Sequence, residues 1–377
     1  MSKINTFSTI AIAIGLGLSA TAVAQTIDGP HQSPVPMLGD NIPTVSSEGW
    51  AVDTQAKWGV SPIEYIHMEH QFFANLFQQH VGVNEFFHFK ELSTKDMVWV
   101  VSPNQDTIYS VAVVDARHDF SVTVPDTGDR FISIQVQDFN HTYVDYQVGG
   151  GEYEFKAEDI NTDYVIVGIR IGTTATPEDA NHIVEEYQPQ LAINTEGEGE
   201  VNIVEFDSAL MLEMRGELVE AFQDVDTPFG WVGYSLDDIK NWEATTYVIA
   251  NSFGLSHHST AMYTNGFPEA KGGDCYYGKF EAIPHGAFGS VTVYGHDRYL
   301  MTNYVDAATS VGTYHHNWLE NKDGTFEIMF GAPECAVEGM NFLATPDDNW
   351  HFMVRAYQPD VEAMYQYQVP VLQRVEK

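Results

Sequence analysis

Between residues 97 and 170 the chain is a succession of short β-branched and aromatic runs: "MVWVV", "IYSVAVVD", "FSVTV", "RFISIQVQD" and "DYVIVGIR". In the fourth run Ile132, Ile134 and Val136 alternate with Phe131, Ser133 and Gln135. A two-residue period sends successive side chains to opposite faces of a pleated strand, so this stretch predicts an antiparallel sheet covered on one face. Pro125-Asp126-Thr127-Gly128-Asp129 and Gly149-Gly150-Gly151 supply turns between the runs. The pattern returns near the C-terminus in "GSVTVYG", "RYLMTNYV", "TFEIMFG" and "WHFMVRAYQ", with Lys322-Asp323-Gly324 as a hairpin turn.

Helices are expected before and between these blocks. Ser61-Pro62-Ile63-Glu64 combines an N-cap serine, a proline at the first helical position and a glutamate at the third, predicting a helix to about Gln79. Thr176-Pro177-Glu178-Asp179 opens a second in the same way. Asp207 to Phe222 and Leu236 to Asn251 read as amphipathic helices, and residues 194–202 as a surface linker. The expected fold class is therefore mainly β with α insertions (α+β): two β-sandwich or jelly-roll-like domains joined by helices. The boundaries read as an extended, proline-bearing arm over 25–60, a β-rich domain over 61–200, a helical connector over 201–255 and a second β-rich domain over 256–377.

Lys3, the apolar run Ile10 to Leu18 and Ala22-Val23-Ala24 read as a signal peptide over residues 1–24, which predicts a periplasmic or secreted protein. No later run is apolar for the roughly 18 residues that a transmembrane segment needs. A formal net charge of −36 repels nucleic acid, so none is expected as a partner. Cys275 and Cys335 are the only cysteines, and an exported pair is expected as a disulfide.

The stretch "SPNQDTIYS" is the first candidate for chemistry. Asn104 and Asp106 suit an irregular bend entering a strand, and with the Tyr109 hydroxyl they would orient a polar ligand at a sheet end. Asp106 is the expected general base, with His88 and Asp138 close by. His67 and His70, three apart on the first helix, share a face, and a third ligand such as His141, Asp138 or His88 would complete a site for a divalent transition metal. Histidines satisfied within the core are the competing reading. Arg130 and Arg355 stand out in a chain with so few basic residues, either as ion pairs holding sheet edges or as a clamp for a ligand carboxylate, with Tyr357 as its apolar wall. No nucleophile-elbow or phosphate-cradling glycine motif is present.

"SPNQDTIYS", "VPDTGDRFISIQVQDF" and "VNEFFHF" resemble the N-terminal domain of unknown function numbered 1254. "GSVTVYGHDRYLM", "NKDGTFEIMFG" and "DNWHFMVRAYQP" resemble its usual C-terminal companion, numbered 1214. The resemblance implies a two-domain β-rich fold and envelope or exported use, without an activity to carry over. Together the residues and the resemblance predict an exported soluble protein with a polar pocket for a small organic or glycan-derived ligand, working as a metal-assisted enzyme. The alternative is a non-catalytic envelope binding or assembly module, and either is compatible with a homo-oligomer.

Overall fold

Each alternating run in the N-terminal block finds its strand partners at a distance in sequence. The computed structural model describes residues 39–97, 100–197, 199, 207–225, 227, 229–303 and 308–376. In it, β1 (Phe86–His88), β2 (Thr107–Asp115), β3 (Phe120–Val124), β4 (Ile132–Asp138), β5 (Tyr143–Val148), β6 (Gly151–Phe155), β7 (Tyr164–Gly172) and β8 (Ala192–Thr195) form two antiparallel sheets. Their orders are β1-β2-β7-β4-β5 and β6-β3-β8. Ile132, Ile134 and Val136 of β4 meet Phe120, Val122 and Val124 of β3 in one shared core. Each such fully buried side chain contributes roughly 1.5–3 kcal/mol.

The C-terminal block repeats the arrangement with β9 (Ala261–Gly266), β10 (Tyr276–Phe280), β11 (His285–Tyr294), β12 (Ser310–Gly312), β13 (Phe326–Gly331), β14 (Asn341–Ala344), β15 (His351–Pro359) and β16 (Gln373–Arg374). The sheets are β12-β11-β15-β9 and β14-β13-β10-β16, with one parallel pair, β13 and β14. Val291, Val293, Phe352 and Val354 from the first meet Phe280, Phe326, Ile328 and Phe330 from the second. The fold is mainly β with α insertions. The Cys275–Cys335 disulfide ties the start of β10 to the turn after β13.

Six helices frame these sheets among the described residues: α1 (Thr54–Trp58), α2 (Pro62–Gln78), α3 (Pro177–His182), α4 (Ser208–Ala221), α5 (Trp242–Asn251) and α6 (Val361–Gln366). Ser61 and Glu64 form the reciprocal cap expected at the start of α2, and Thr176 accepts from Asp179 N at the start of α3. α2 is buried on almost every side, packed between the N-terminal sheet, α4 and α5.

Four local expectations are corrected. The helix expected over 236–251 is a 3₁₀ turn at Leu236–Asp238 followed by a fresh start at Trp242, because Asn241 caps the Ala244 amide. "RYLM" is a bend rather than a strand, with Arg298 at φ +69°. Asn194 and Thr195, read as linker, pair with Ser121 and Phe120 in β8. The arm contains α1, closed by Gly59 in the left-handed region. Val98 and Trp99, the signal segment 1–24 and the arm up to residue 38 lie outside the described residues; Val100 and Val101 form a bend.

Candidate functional site

The faces turned away from the two cores build a cavity of about 350 Å³. Alternation decides which residues reach it. β2 sends Ile108, Ala112 and Val114 to the core and so turns Tyr109 and Val111 the other way. β4 does the same with Gln135 and Gln137, and β7 with Ile166, Gly168 and Arg170. Register aligns these across the sheet: Tyr109 stands opposite Arg170, and Val111, Gly168 and Gln135 share the next row. A Cβ placed on Gly168 would meet nothing within 4 Å, so this glycine leaves open space in the wall.

The C-terminal sheet supplies the facing wall with Tyr263 of β9 and Met353, Arg355 and Tyr357 of β15. Arg355 pairs in register with Tyr263 on one side and Ser290 on the other. Phe73 of α2 stacks on Phe253 after α5, ring centres 4.0 Å apart, to make an apolar end. Arg215 of α4, bound through Nε at 2.9 Å to the fully buried Glu69 of α2, closes that side.

The "SPNQDTIYS" segment does both things its composition suggests. Asn104 Oδ1 accepts from the amides of Asp106 at 3.0 Å and Thr107 at 3.1 Å, fixing the bend into β2. Its Nδ2 donates to the Tyr109 hydroxyl at the cavity wall. Ser102 adopts φ +50°, and its carbonyl accepts from Arg355 Nη2 at 2.7 Å. Such backbone in a non-glycine residue persists where its surroundings hold it, here between two arginines, since the Ser102 amide donates to the Arg298 carbonyl at 2.9 Å.

Asp106 lies one layer behind the wall. Its Oδ2 accepts from Ser290 Oγ at 2.7 Å and from the Tyr357 hydroxyl at 3.1 Å. His315 Nε2 approaches Oδ1 to 3.1 Å without completing a hydrogen bond. Burial pushes the Asp106 carboxyl up, but His315, Arg355 and Ser290 together outweigh it and hold the group below its usual value. A carboxylate so engaged is a poor proton acceptor, and it steadies Tyr357, a wall residue whose own hydroxyl burial pushes well above its usual range.

The other expected residues fall elsewhere. His88 pairs with Ser110, on the sheet face opposite Tyr109, and burial lowers it to about 4. Arg130 forms an ion pair with Asp179, Nη2 to Oδ1 at 2.6 Å, and ties the start of α3 to the sheet. Asp138 is fully buried, which raises its carboxyl; it accepts from Thr142 N at 2.9 Å and Asn161 Nδ2 at 3.0 Å, away from the cavity lining.

The three expected metal ligands do not form one set. His67 Nε2 lies 2.9 Å from Asn140 Oδ1, while Asn140 Nδ2 donates to the Asn41 carbonyl, which orients the amide and makes His67 the donor. His70 Nε2 and His141 Nδ1 are 2.8 Å apart, a direct hydrogen bond. Two nitrogens on one tetrahedral zinc would stand about 3.4 Å apart, given metal–nitrogen bonds of about 2.0–2.1 Å. Among the described residues no three His, Cys, Asp or Glu side chains are grouped to hold a metal ion.

The sequence pattern did not single out Arg170, Arg298, Arg215 or Tyr263. Arg170 carried the clearest signal, a lone cation inside the apolar run "YVIVGIRIG", on the partly buried face that it shares with Ile166 and Gly168.

Residues 83–195 match the family described as "Protein of unknown function (DUF1254)", and residues 261–361 match "Protein of unknown function (DUF1214)". The two matches follow one another in that order along the chain. The DUF1254 match contains β1 to β8, and the DUF1214 match begins at β9. Among curated proteins, none matches the sequence. A crystal structure of a protein from Vibrio parahaemolyticus is similar, with 19% identity, 83% of this chain and 96% of that one covered, and a TM-score of 0.63. An uncharacterized protein from Burkholderia cenocepacia gives 14% identity, 83% and 88% coverage and a TM-score of 0.49. The Vibrio likeness bears on the fold alone.

Proposed function

We propose that the chamber between the DUF1254 and DUF1214 sheets holds a small organic ligand, and that the chain works outside the cytoplasm as a binding protein for it. One observation carries this reading: a cavity of about 350 Å³ whose wall is built from both sheets and from α2, α4 and α5, with aromatic side chains at one end and convergent polar groups at the other. Ligand sites in proteins have this size and mixture. The volume suits a molecule of one to three rings better than an oligosaccharide. The Cys275–Cys335 disulfide supports an oxidising compartment, and among the described residues no helix is long and apolar enough to cross a membrane.

Binding is favoured over catalysis because the one carboxylate of the expected base, Asp106, is already occupied by Ser290 and Tyr357. Native mass spectrometry on protein recovered from its own export pathway tests the reading. A small bound molecule is expected in the natural sequence and none in Gly168→Leu, whose side chain enters the chamber. The same mass on both, or no mass on either, would count against the chamber.

A further inference from the structure

The seven arginines of this chain divide by partner. Arg117, Arg130, Arg215 and Arg374 each form an ion pair with a carboxylate. Arg170, Arg298 and Arg355 form none among the described residues, and all three line the cavity. In a chain with 53 acidic residues against 17 basic ones, three guanidinium groups gathered at one cavity without an ion-pair partner need a cause.

Neutral groups hold each of the three. Arg298 donates to Asn251, through Nη1 to Oδ1 at 2.6 Å and Nη2 to the carbonyl at 3.3 Å. Arg355 donates to Thr292 Oγ1 at 3.0 Å, to the Ser102 carbonyl at 2.7 Å and to the Tyr294 hydroxyl. Arg170 has the least: Nη1 donates to Ser256 Oγ at 3.2 Å, and the guanidinium lies over the Tyr109 ring at 5.8 Å. A guanidinium carries five N–H donors in a planar fork and keeps its charge under all ordinary conditions. Arg170 is only partly buried in the cavity wall, so with one neutral hydrogen bond most of its fork stays available to an anion.

We infer that the ligand is a small organic acid, its carboxylate taken by the Arg170 fork and its aromatic or apolar body laid toward Phe73 and Phe253. This rests on the chamber being a ligand site. Tyr263 places the second cation beside the first: its hydroxyl donates to the same Ser256 Oγ at 3.1 Å, and the Arg355 guanidinium lies 5.8 Å from its ring centre. Arg355 therefore adds positive potential at the carboxylate end, partly balanced by Asp106 behind it. Phe77, Val111, Ile166 and Met353 give the remaining wall its apolar surface, so a bare inorganic anion would leave most of the chamber unfilled.

Isothermal titration with a panel of single-ring carboxylates, 3-phenylpropanoate among them, and their uncharged amides tests the assignment. The natural sequence is expected to bind at least one acid tenfold or more tightly than its amide. Arg170→Gln is expected to remove that preference, and Arg170→Lys to restore part of it. Thermal unfolding without ligand separates this from a structural arginine: Arg170→Gln should melt no lower than the natural sequence, since Arg170 has no ion pair to lose and a single hydrogen bond, to Ser256. Equal affinity for acid and amide, or a preference that survives Arg170→Gln, overturns the anion assignment and leaves the chamber as a site. No heat with any member of the panel, with a neutral molecule found bound by mass spectrometry, overturns the anion assignment alone; no heat and no bound mass overturns both.

Discussion

Tyr109 of β2 and Arg170 of β7 stand directly opposite each other in the antiparallel register, with the Arg170 guanidinium 5.8 Å from the Tyr109 ring centre. The row fixes chemistry through topology. A slip of one residue in that pairing would turn Arg170 into the core now filled by Ile169 and Ile171, so the register that buries the sheet also aims the cation.

Asp106 is a structural carboxylate in this account. Asp106→Asn keeps the shape but weakens the bonds from Ser290 and Tyr357 and removes the charge that faces Arg355. Stability at neutral pH should fall by about 1–3 kcal/mol in urea unfolding. An unchanged midpoint would show that the buried charge is dispensable.

The histidines of α2, with His141 after β4, set the acid sensitivity. Burial lowers His67 to about 4 and His141 to about 3 from 6.5, and lowers His70 well below it. In the unfolded chain each binds a proton near pH 6.5, so between that pH and about 4 the unfolded state holds more protons. Stability therefore falls as pH falls through this window, by up to roughly 1.4 kcal/mol per pH unit for each histidine. His88 and His351, both lowered to about 4, act with the same sign. Asp106, lowered from 3.8, contributes stability above that pH and loses it only in stronger acid. Urea titrations at several pH values between 7.5 and 4.5 should show the slope, and His70→Gln should flatten it. A flat profile would mean that these histidines are not buried neutral.

Removing the disulfide should cost the C-terminal β-rich half heavily. Its cysteines are 60 residues apart, and closing such a loop stabilises by on the order of 4 kcal/mol in the chain-entropy picture. Cys275→Ser with Cys335→Ser should unfold at clearly lower denaturant than the natural sequence. Matching curves would assign the bridge no role in stability.

What the sequence made legible was local. The Ser61 and Glu64 cap, the Thr176 cap and the alternation of Ile132, Ile134 and Val136 are all written within a few residues and all appear in the fold. The "SPNQDTIYS" bend was readable for the same reason. The chamber was not, because its contacts join distant segments: Asp106 reaches Ser290 across 184 residues and Tyr357 across 251. Glu69 and Arg215 are separated by 146. His88 was misplaced because its face depends on the β1–β2 register, which pairs it with Ser110 rather than Tyr109. His67 turns to Asn140 and His70 to His141, pairings that helix spacing cannot reveal.

The central claim is that the space beside Gly168 admits a ligand, and 8-anilinonaphthalene-1-sulfonate, an aromatic anion that brightens on entering apolar surroundings, probes it directly. Gly168→Leu adds a side chain where a Cβ would meet nothing within 4 Å, so the fold should be retained while the chamber shrinks. Fluorescence titration of the natural sequence should saturate at one dye per chain and lose most of its amplitude in Gly168→Leu. Equal saturation in the two proteins, or no binding in either, would contradict the account.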